Sequence, residues 1–226
     1  MPDPILVADA ASKAYGDLTA LVPLDLTVPH GQLLALIGHN GSGKSTFLRL
    51  AAGLLDLTSG TIEIGGALAG TPDARQLVSF LPDEPVLYDD LSVREHLAYV
   101  ASLHGVDLVE EDLEGVIERV GLTARADDLP SQFSRGLRQR TSIALGLIRP
   151  FELLLVDEPF VGLDLGGKEA LLDIFDELHK DGATIVVATH DPSFVERADR
   201  CVALRDGEII HDGPALPSEV AALVSS

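Results

Sequence analysis

Leu33–Ile37 is an unbroken apolar run, the pattern of a strand buried on both faces. It leads directly into a glycine-rich loop, after which residues 45–52 have the composition of a helix that ends near Gly53. Residues 5–8, 24–28 and 61–64, together with Val78–Leu81, predict further strands, and residues 153–156 and Thr184–Ala188 repeat the continuous apolar pattern later in the chain. The middle of the chain has a different period. Ser92-Val93-Arg94-Glu95 is a capping-box signature, and Val93, Leu97, Val100, Ala101 and Leu103 follow at helical spacing before Gly105. A second helix is predicted over residues 108–120, with Leu113, Val116, Ile117 and Val120 on one face and Gly121 as its stop. A third runs from near Ser134 to Arg149, where Pro150 ends it. The alternation of strands and helices predicts an α/β fold with a largely parallel sheet, into which a block of helices is inserted between about residues 87 and 150.

Composition narrows the function classes. Of the 226 residues, 46% are hydrophobic and 23% charged, as in a packed globular protein. The apolar runs are all far shorter than the ~18 residues a membrane-spanning helix needs. Residues 1–4 carry neither a basic patch nor an apolar stretch, so no secretory leader is expected. The single cysteine, Cys201, excludes an intramolecular disulfide and fits a reducing compartment. The net charge of −20, from 36 acidic and 16 basic side chains, is the opposite of the basic footprint that neutralises nucleic-acid phosphates, and no nucleic-acid partner is expected.

Two motifs carry chemistry. Gly38-His39-Asn40-Gly41-Ser42-Gly43-Lys44-Ser45-Thr46 fits G-x-x-x-x-G-K-[ST] and lies between a predicted strand and a predicted helix, the context that pattern requires. Its glycines let successive backbone N–H groups turn toward phosphate oxygens, and the following helix adds the positive end of its dipole. Lys44 is placed to reach the β- and γ-phosphates, and the Ser45 hydroxyl to ligate Mg²⁺. This loop alone leaves kinase, GTPase and ATPase open. The second motif is the apolar strand 153–156 ending in Asp157-Glu158. Neighbouring strand residues point to opposite faces, so the two carboxylates take different tasks, Asp157 supporting the metal and Glu158 orienting or deprotonating a water.

With the segment between them, these motifs resemble the nucleotide-binding domain of ABC (ATP-binding cassette) transporters over nearly the whole chain. Phe133-Ser134-Arg135-Gly136-Leu137-Arg138-Gln139-Arg140 looks like the family signature, usually written LSGGQ. Alone it would read as an N-cap followed by a basic helix; its place between the phosphate loop and the carboxylates gives it the other meaning. The resemblance implies a P-loop NTPase with a RecA-like core (residues 1–86 and 151–226), a small antiparallel β subdomain and an inserted helical subdomain (87–150). It implies that Ser134 and Gly136 meet the ATP held by the opposite subunit of a homodimer or heterodimer. Asp164, in Phe160-Val161-Gly162-Leu163-Asp164, corresponds to the family's dimer-contacting loop, His190 to its switch histidine, and Tyr15 to its adenine-stacking aromatic ring.

There are two departures from the family pattern. Asp83, in Leu81-Pro82-Asp83-Glu84-Pro85, stands where glutamine is usual and is expected to join Ser45 and Asp157 as a metal ligand. In the signature, Arg135 replaces a glycine and Leu137 the glutamine, a form that resembles the exporting branches. The expected activity is ATP hydrolysis coupled, through dimer closure, to a transmembrane permease on a separate chain, at the inner face of the membrane. A translation or DNA-repair ATPase would usually carry two cassettes or long coiled coils, and a degenerate cassette would lack Glu158 or His190. Residues 215–226 are too short for a ligand-sensing appendage.

Overall fold

The computed structural model describes residues 3–214, so residues 215–226 lie outside it. The chain divides into two compact units. The first contains the residues up to Phe80, Phe151–Glu158 and the residues from Asp176 onward.

In this unit β1 (Pro4–Tyr15) and β2 (Leu18–Pro29) form a long antiparallel hairpin. After β3 (Leu33–Ile37) and α1 (Lys44–Ala51), β4 (Ser59–Ile64) pairs antiparallel with β1, and the short β5 (Ala67–Leu68) completes a four-stranded sheet in the order β2-β1-β4-β5. The sequence pattern had indicated strands only at residues 5–8 and 24–28; each runs to twelve residues. The excess was hidden because the register shifts between Ala8 and Ala11 and again near Lys13, which breaks the alternation of inward and outward residues.

Helix α2 (Pro72–Leu77) follows, capped by the Thr71 side chain, and leads into β6 (Val78–Leu81). The second sheet has six strands in the order β10-β9-β3-β8-β7-β6, with β7 (Leu153–Asp157), β8 (Thr184–Ala188), β9 (Arg200–Arg205) and β10 (Glu208–Gly213). The β3–β8, β3–β9 and β7–β8 pairs are parallel, and the terminal β9–β10 hairpin is antiparallel. All five residues of β3, β7 and β8 are buried, which is why they read as unbroken apolar runs. Each such leucine, isoleucine or valine contributes roughly 1.5–3 kcal/mol relative to exposure. Leu36, Leu155 and Val186 share a core with Phe47 and Leu48 of α1, which fixes that helix against the sheet. Parallel pairing brings the C-terminal ends of β3, β8 and β7 to one edge, with Leu36 opposite Ala188 and Ala188 opposite Asp157. The short α7 (Pro192–Val195) follows that edge, capped by Asp191.

The second unit comprises Leu81–Pro150 and Pro159–Phe175. It holds α3 (Val93–Leu103), α4 (Glu110–Arg119), α5 (Arg135–Leu147) and the first part of α6 (Leu165–Lys180). The capping box is formed as the sequence predicted, with Ser92 accepting from the Glu95 N–H and Glu95 accepting from the Ser92 N–H. Val93, Leu97 and Ala101 of α3 are buried, as are Leu113 and Ile117 of α4 and Ile143 and Ala144 of α5. Arg94 joins Glu110, Glu114 and Asp127 in one ionic cluster.

His96 is buried on α3 and clips the preceding loop to the helix. Its Nε2 accepts from the Tyr88 N–H at 2.8 Å, while Nδ1 lies 2.8 Å from the Ser92 carbonyl and so carries the proton. His96→Leu leaves the Tyr88 N–H without this acceptor and is expected to cost about 1–3 kcal/mol, read as a lower denaturation midpoint. An unchanged midpoint would mean that the clip contributes nothing.

Candidate functional site

The glycine-rich loop joins β3 to α1 in the first unit. At two of its positions only glycine fits. Gly43, the N-cap of α1, has φ +105°, and a Cβ there would lie 2.6 Å from Leu21 Cδ2 and 2.8 Å from the Ala20 carbonyl oxygen. Gly38 has φ +153°, and its Cβ would come within 2.3 Å of the Leu204 carbonyl oxygen. The loop is closed by the Ser42 N–H donating to the His39 carbonyl. Ser42 Oγ is buried and finds no hydrogen-bond partner among the described residues. Asn40 and Gly41 are exposed at the tip, and Thr46 is half-buried in the first turn of α1. His39 Nδ1 lies 2.8 Å from the Asn40 carbonyl oxygen.

Lys44 is only 5% exposed. Its ammonium donates to the Gly38 carbonyl at 2.7 Å and the His39 carbonyl at 3.3 Å, and lies 3.5 Å from Glu158 Oε1. Next to it, the Ser45 hydroxyl donates to Asp157 Oδ1 at 2.9 Å. Asp157, the last residue of β7, is fully buried. Glu158 then adopts φ +45°, a left-handed conformation unusual for a side chain of its size, and its N–H donates to the Ala188 carbonyl at 2.8 Å. Holding a non-glycine residue there costs roughly 1–3 kcal/mol, and such strain is typical of positions where a side chain must be aimed.

The other Glu158 oxygen, Oε2, is 3.1 Å from His190 Nδ1, just beyond β8. With the carboxylate accepting, that nitrogen carries the proton. The turn that presents His190 is held by the Thr189 N–H on the Leu36 carbonyl and the Asp191 N–H on Thr189 Oγ1. Burial pushes the Glu158 carboxyl above its ordinary pKa, while the charges of Lys44 and His190 pull it partly back. Lys44, Ser45, Asp157, Glu158 and His190 therefore form one connected group.

Ser45 and Asp157 offer two hard oxygens and no soft ligand. This suits Mg²⁺, which is bound by one or two protein oxygens with phosphate oxygens and water completing the shell. Tyr15, at the end of β1, is 47% exposed, with Lys13 Nζ 5.0 Å from its ring centroid.

The remaining residues singled out from the sequence lie in the second unit. Ser134 caps α5, its Oγ accepting from the Leu137 N–H at 3.4 Å. A Cβ on Gly136 would meet Leu163 at 3.5 Å, so this helix start packs on the loop Phe160 to Asp164. Asp164 Oδ1 accepts from the Gly167 N–H at 2.7 Å and so caps α6. Asp83 accepts a hydrogen bond from Arg135 Nη2 at 3.2 Å. No sequence motif announces this last contact, since its partners are 52 residues apart.

Residues 21–161 match the family model described as ABC transporter. The linearmycin resistance ATP-binding protein LnrL of Bacillus subtilis is 34% identical over 214 residues, covering 92% of this chain and 69% of that protein. The macrolide export ATP-binding/permease protein MacB 1 of Aeromonas hydrophila is 34% identical over 225 residues, covering 94% of this chain. The chain spans about a third of the length of the MacB relatives. Among solved structures, an ATP-binding subunit of an ABC transporter superposes with a TM-score of 0.85 at 32% identity, covering 93% of this chain and 90% of that one. The dimeric bacterial ABC transporter cassette MJ0796 superposes with a TM-score of 0.85 at 25% identity, covering 93% and 99%. Among the described residues, no helix is long and apolar enough to cross a membrane.

Proposed function

This chain belongs to the ABC transporter family, as an ATP-binding subunit and ATPase, and from that membership we propose that ATP closes two cassettes into a dimer whose hydrolytic reopening drives export through a transmembrane permease. The observation that carries this reading is the Glu158 carboxylate held between Lys44 and His190, beside the Ser45–Asp157 pair.

The triphosphate lies against the N–H groups of residues 38–46 and the N-terminus of α1. Lys44 exchanges the Gly38 and His39 carbonyls for β- and γ-phosphate oxygens, which frees Glu158 from its cation. Glu158 then orients the attacking water and takes its proton, and His190 hydrogen-bonds the γ-phosphate and keeps the carboxylate aimed. Ser45 and Asp157 would hold Mg²⁺, which would neutralise charge on the phosphate oxygens. Asp83, the third oxygen expected from the sequence, is engaged by Arg135. Tyr15 stacks on adenine. Ser134 and Gly136, at the start of α5, meet the γ-phosphate of ATP held by the opposite subunit, and Asp164 lies in the loop that contacts that subunit.

Export is supported by the names of two relatives, one assigned to macrolide export and the other to linearmycin resistance. A dimer is supported by the dimeric cassette of the same fold. The permease places the cassette at the cytoplasmic face of the membrane. The test is ATP turnover by the purified chain, with dimerisation followed by light scattering. Magnesium-dependent turnover together with an ATP-dependent dimer is expected. A chain that does neither is not the motor proposed here.

A further inference from the structure

Arg135 is the first residue of α5, where a cation faces the positive end of the helix dipole, and the first turn of α5 contains no acidic residue. The anion comes from outside the helix, as the Asp83 carboxylate at 3.2 Å. The arginine stem is guided there by Gly162, whose φ is +81° and where a Cβ would lie 2.6 Å from Arg135 Cδ and 3.1 Å from Cγ. The guanidinium is therefore aimed rather than free. Both side chains are about half exposed, so water screens the pair and it adds little to stability. An exposed, weakly held pair can exchange partners. A guanidinium fork fits phosphate better than it fits one carboxylate oxygen, because it can donate two parallel hydrogen bonds.

We propose that Arg135 recognises the phosphates of the ATP held by a second copy of this chain, and that Asp83 holds it in reserve until that nucleotide arrives. The inference rests on the proposed function, in which Ser134 and Gly136 on either side of Arg135 meet that nucleotide. It gives the two departures from the family pattern a joint role. Carboxylate and phosphate compete for one guanidinium, so Asp83 sets how much ATP is needed to close the dimer.

The test is made in a Glu158→Gln background, where hydrolysis does not reopen the dimer. Light scattering gives the ATP concentration for half-maximal dimerisation with no further change, with Asp83→Asn, with Arg135→Ala and with both. Alanine is the best helix former, so Arg135→Ala leaves α5 intact. Asp83→Asn releases the guanidinium and is expected to lower the midpoint about two- to fivefold, the worth of an exposed ion pair. Arg135→Ala removes a charged phosphate contact and is expected to raise it about tenfold or more. The double variant is expected to behave as Arg135→Ala, since Asp83 acts only through that residue. A midpoint raised by Asp83→Asn with or without Arg135 would make Asp83 a metal ligand and overturn the inference. So would a midpoint indifferent to Arg135→Ala. Glu158→Gln protein that never dimerises with ATP removes the proposed function and this inference with it, whereas a dimer whose midpoint ignores both residues removes only the inference.

Discussion

Glu158→Gln is expected to bind ATP and accumulate as a dimer while turning over about 10²–10⁴-fold more slowly, the usual contribution of a positioned general base. The amide has the shape of the carboxylate but cannot take a proton from water. It also removes a negative charge from beside the triphosphate, together with the desolvation cost of keeping that charge buried, so ATP binding is retained or tightened. Phosphate release and light scattering read the two effects separately. Because burial raises the carboxyl pKa and a base acts only when deprotonated, parent turnover should fall on the acid side at a pH above the ~4.3 of an unperturbed glutamate. That limb should vanish in the variant. Phosphate release at the parent rate would mean that another group handles the water and that Glu158 merely balances the charge of Lys44.

The elements that build this site were the most legible in the sequence. Leu33–Ile37, Val78–Leu81 and Thr184–Ala188 coincide with β3, β6 and β8, and the first and last of these are buried along their whole length. Ser92, Gly121 and Ser134 marked helix ends because caps are local chemistry, and both serines cap as expected while Gly121 has φ +68°. The long β1–β2 hairpin was only partly legible, since its irregular register interrupts the period-two signal. The sequence pattern did not single out α6, whose first turn, Leu165-Gly166-Gly167, has poor helix propensity and depends on the Asp164 cap. In the site, strand alternation separated the tasks of Asp157 and Glu158. It could not reveal that a left-handed turn at Glu158 sends its carboxylate to Lys44 and His190, because that conformation is set by the Ala188 carbonyl on a neighbouring strand. The Asp83–Arg135 pair was invisible for a similar reason: only the folded chain brings the two charges together.

Lys44→Ala is expected to weaken ATP binding about 10²–10⁴-fold, from the loss of two charged hydrogen bonds to phosphate worth roughly 1.5–3 kcal/mol each. The substitution also strips the buried Glu158 carboxylate of the Lys44 ammonium 3.5 Å away, so without nucleotide its carboxyl pKa rises further and less of it is ionised at neutral pH. With ATP saturating, turnover should still fall, because Lys44 then contacts the β- and γ-phosphates and its charge is missing from the transition state. Lys44→Arg should not rescue it. The ammonium is almost wholly buried between the Gly38 carbonyl and Glu158, where a larger, planar guanidinium would have to displace its neighbours. Binding of a fluorescent ATP analogue, with thermal unfolding recorded in its absence, separates two roles. If Lys44 serves mainly to tie down the Gly38 and His39 carbonyls, the variant will melt earlier without nucleotide yet bind ATP with the parent's affinity. If it is the phosphate contact, affinity collapses well beyond what any shift of the melting point without nucleotide accounts for.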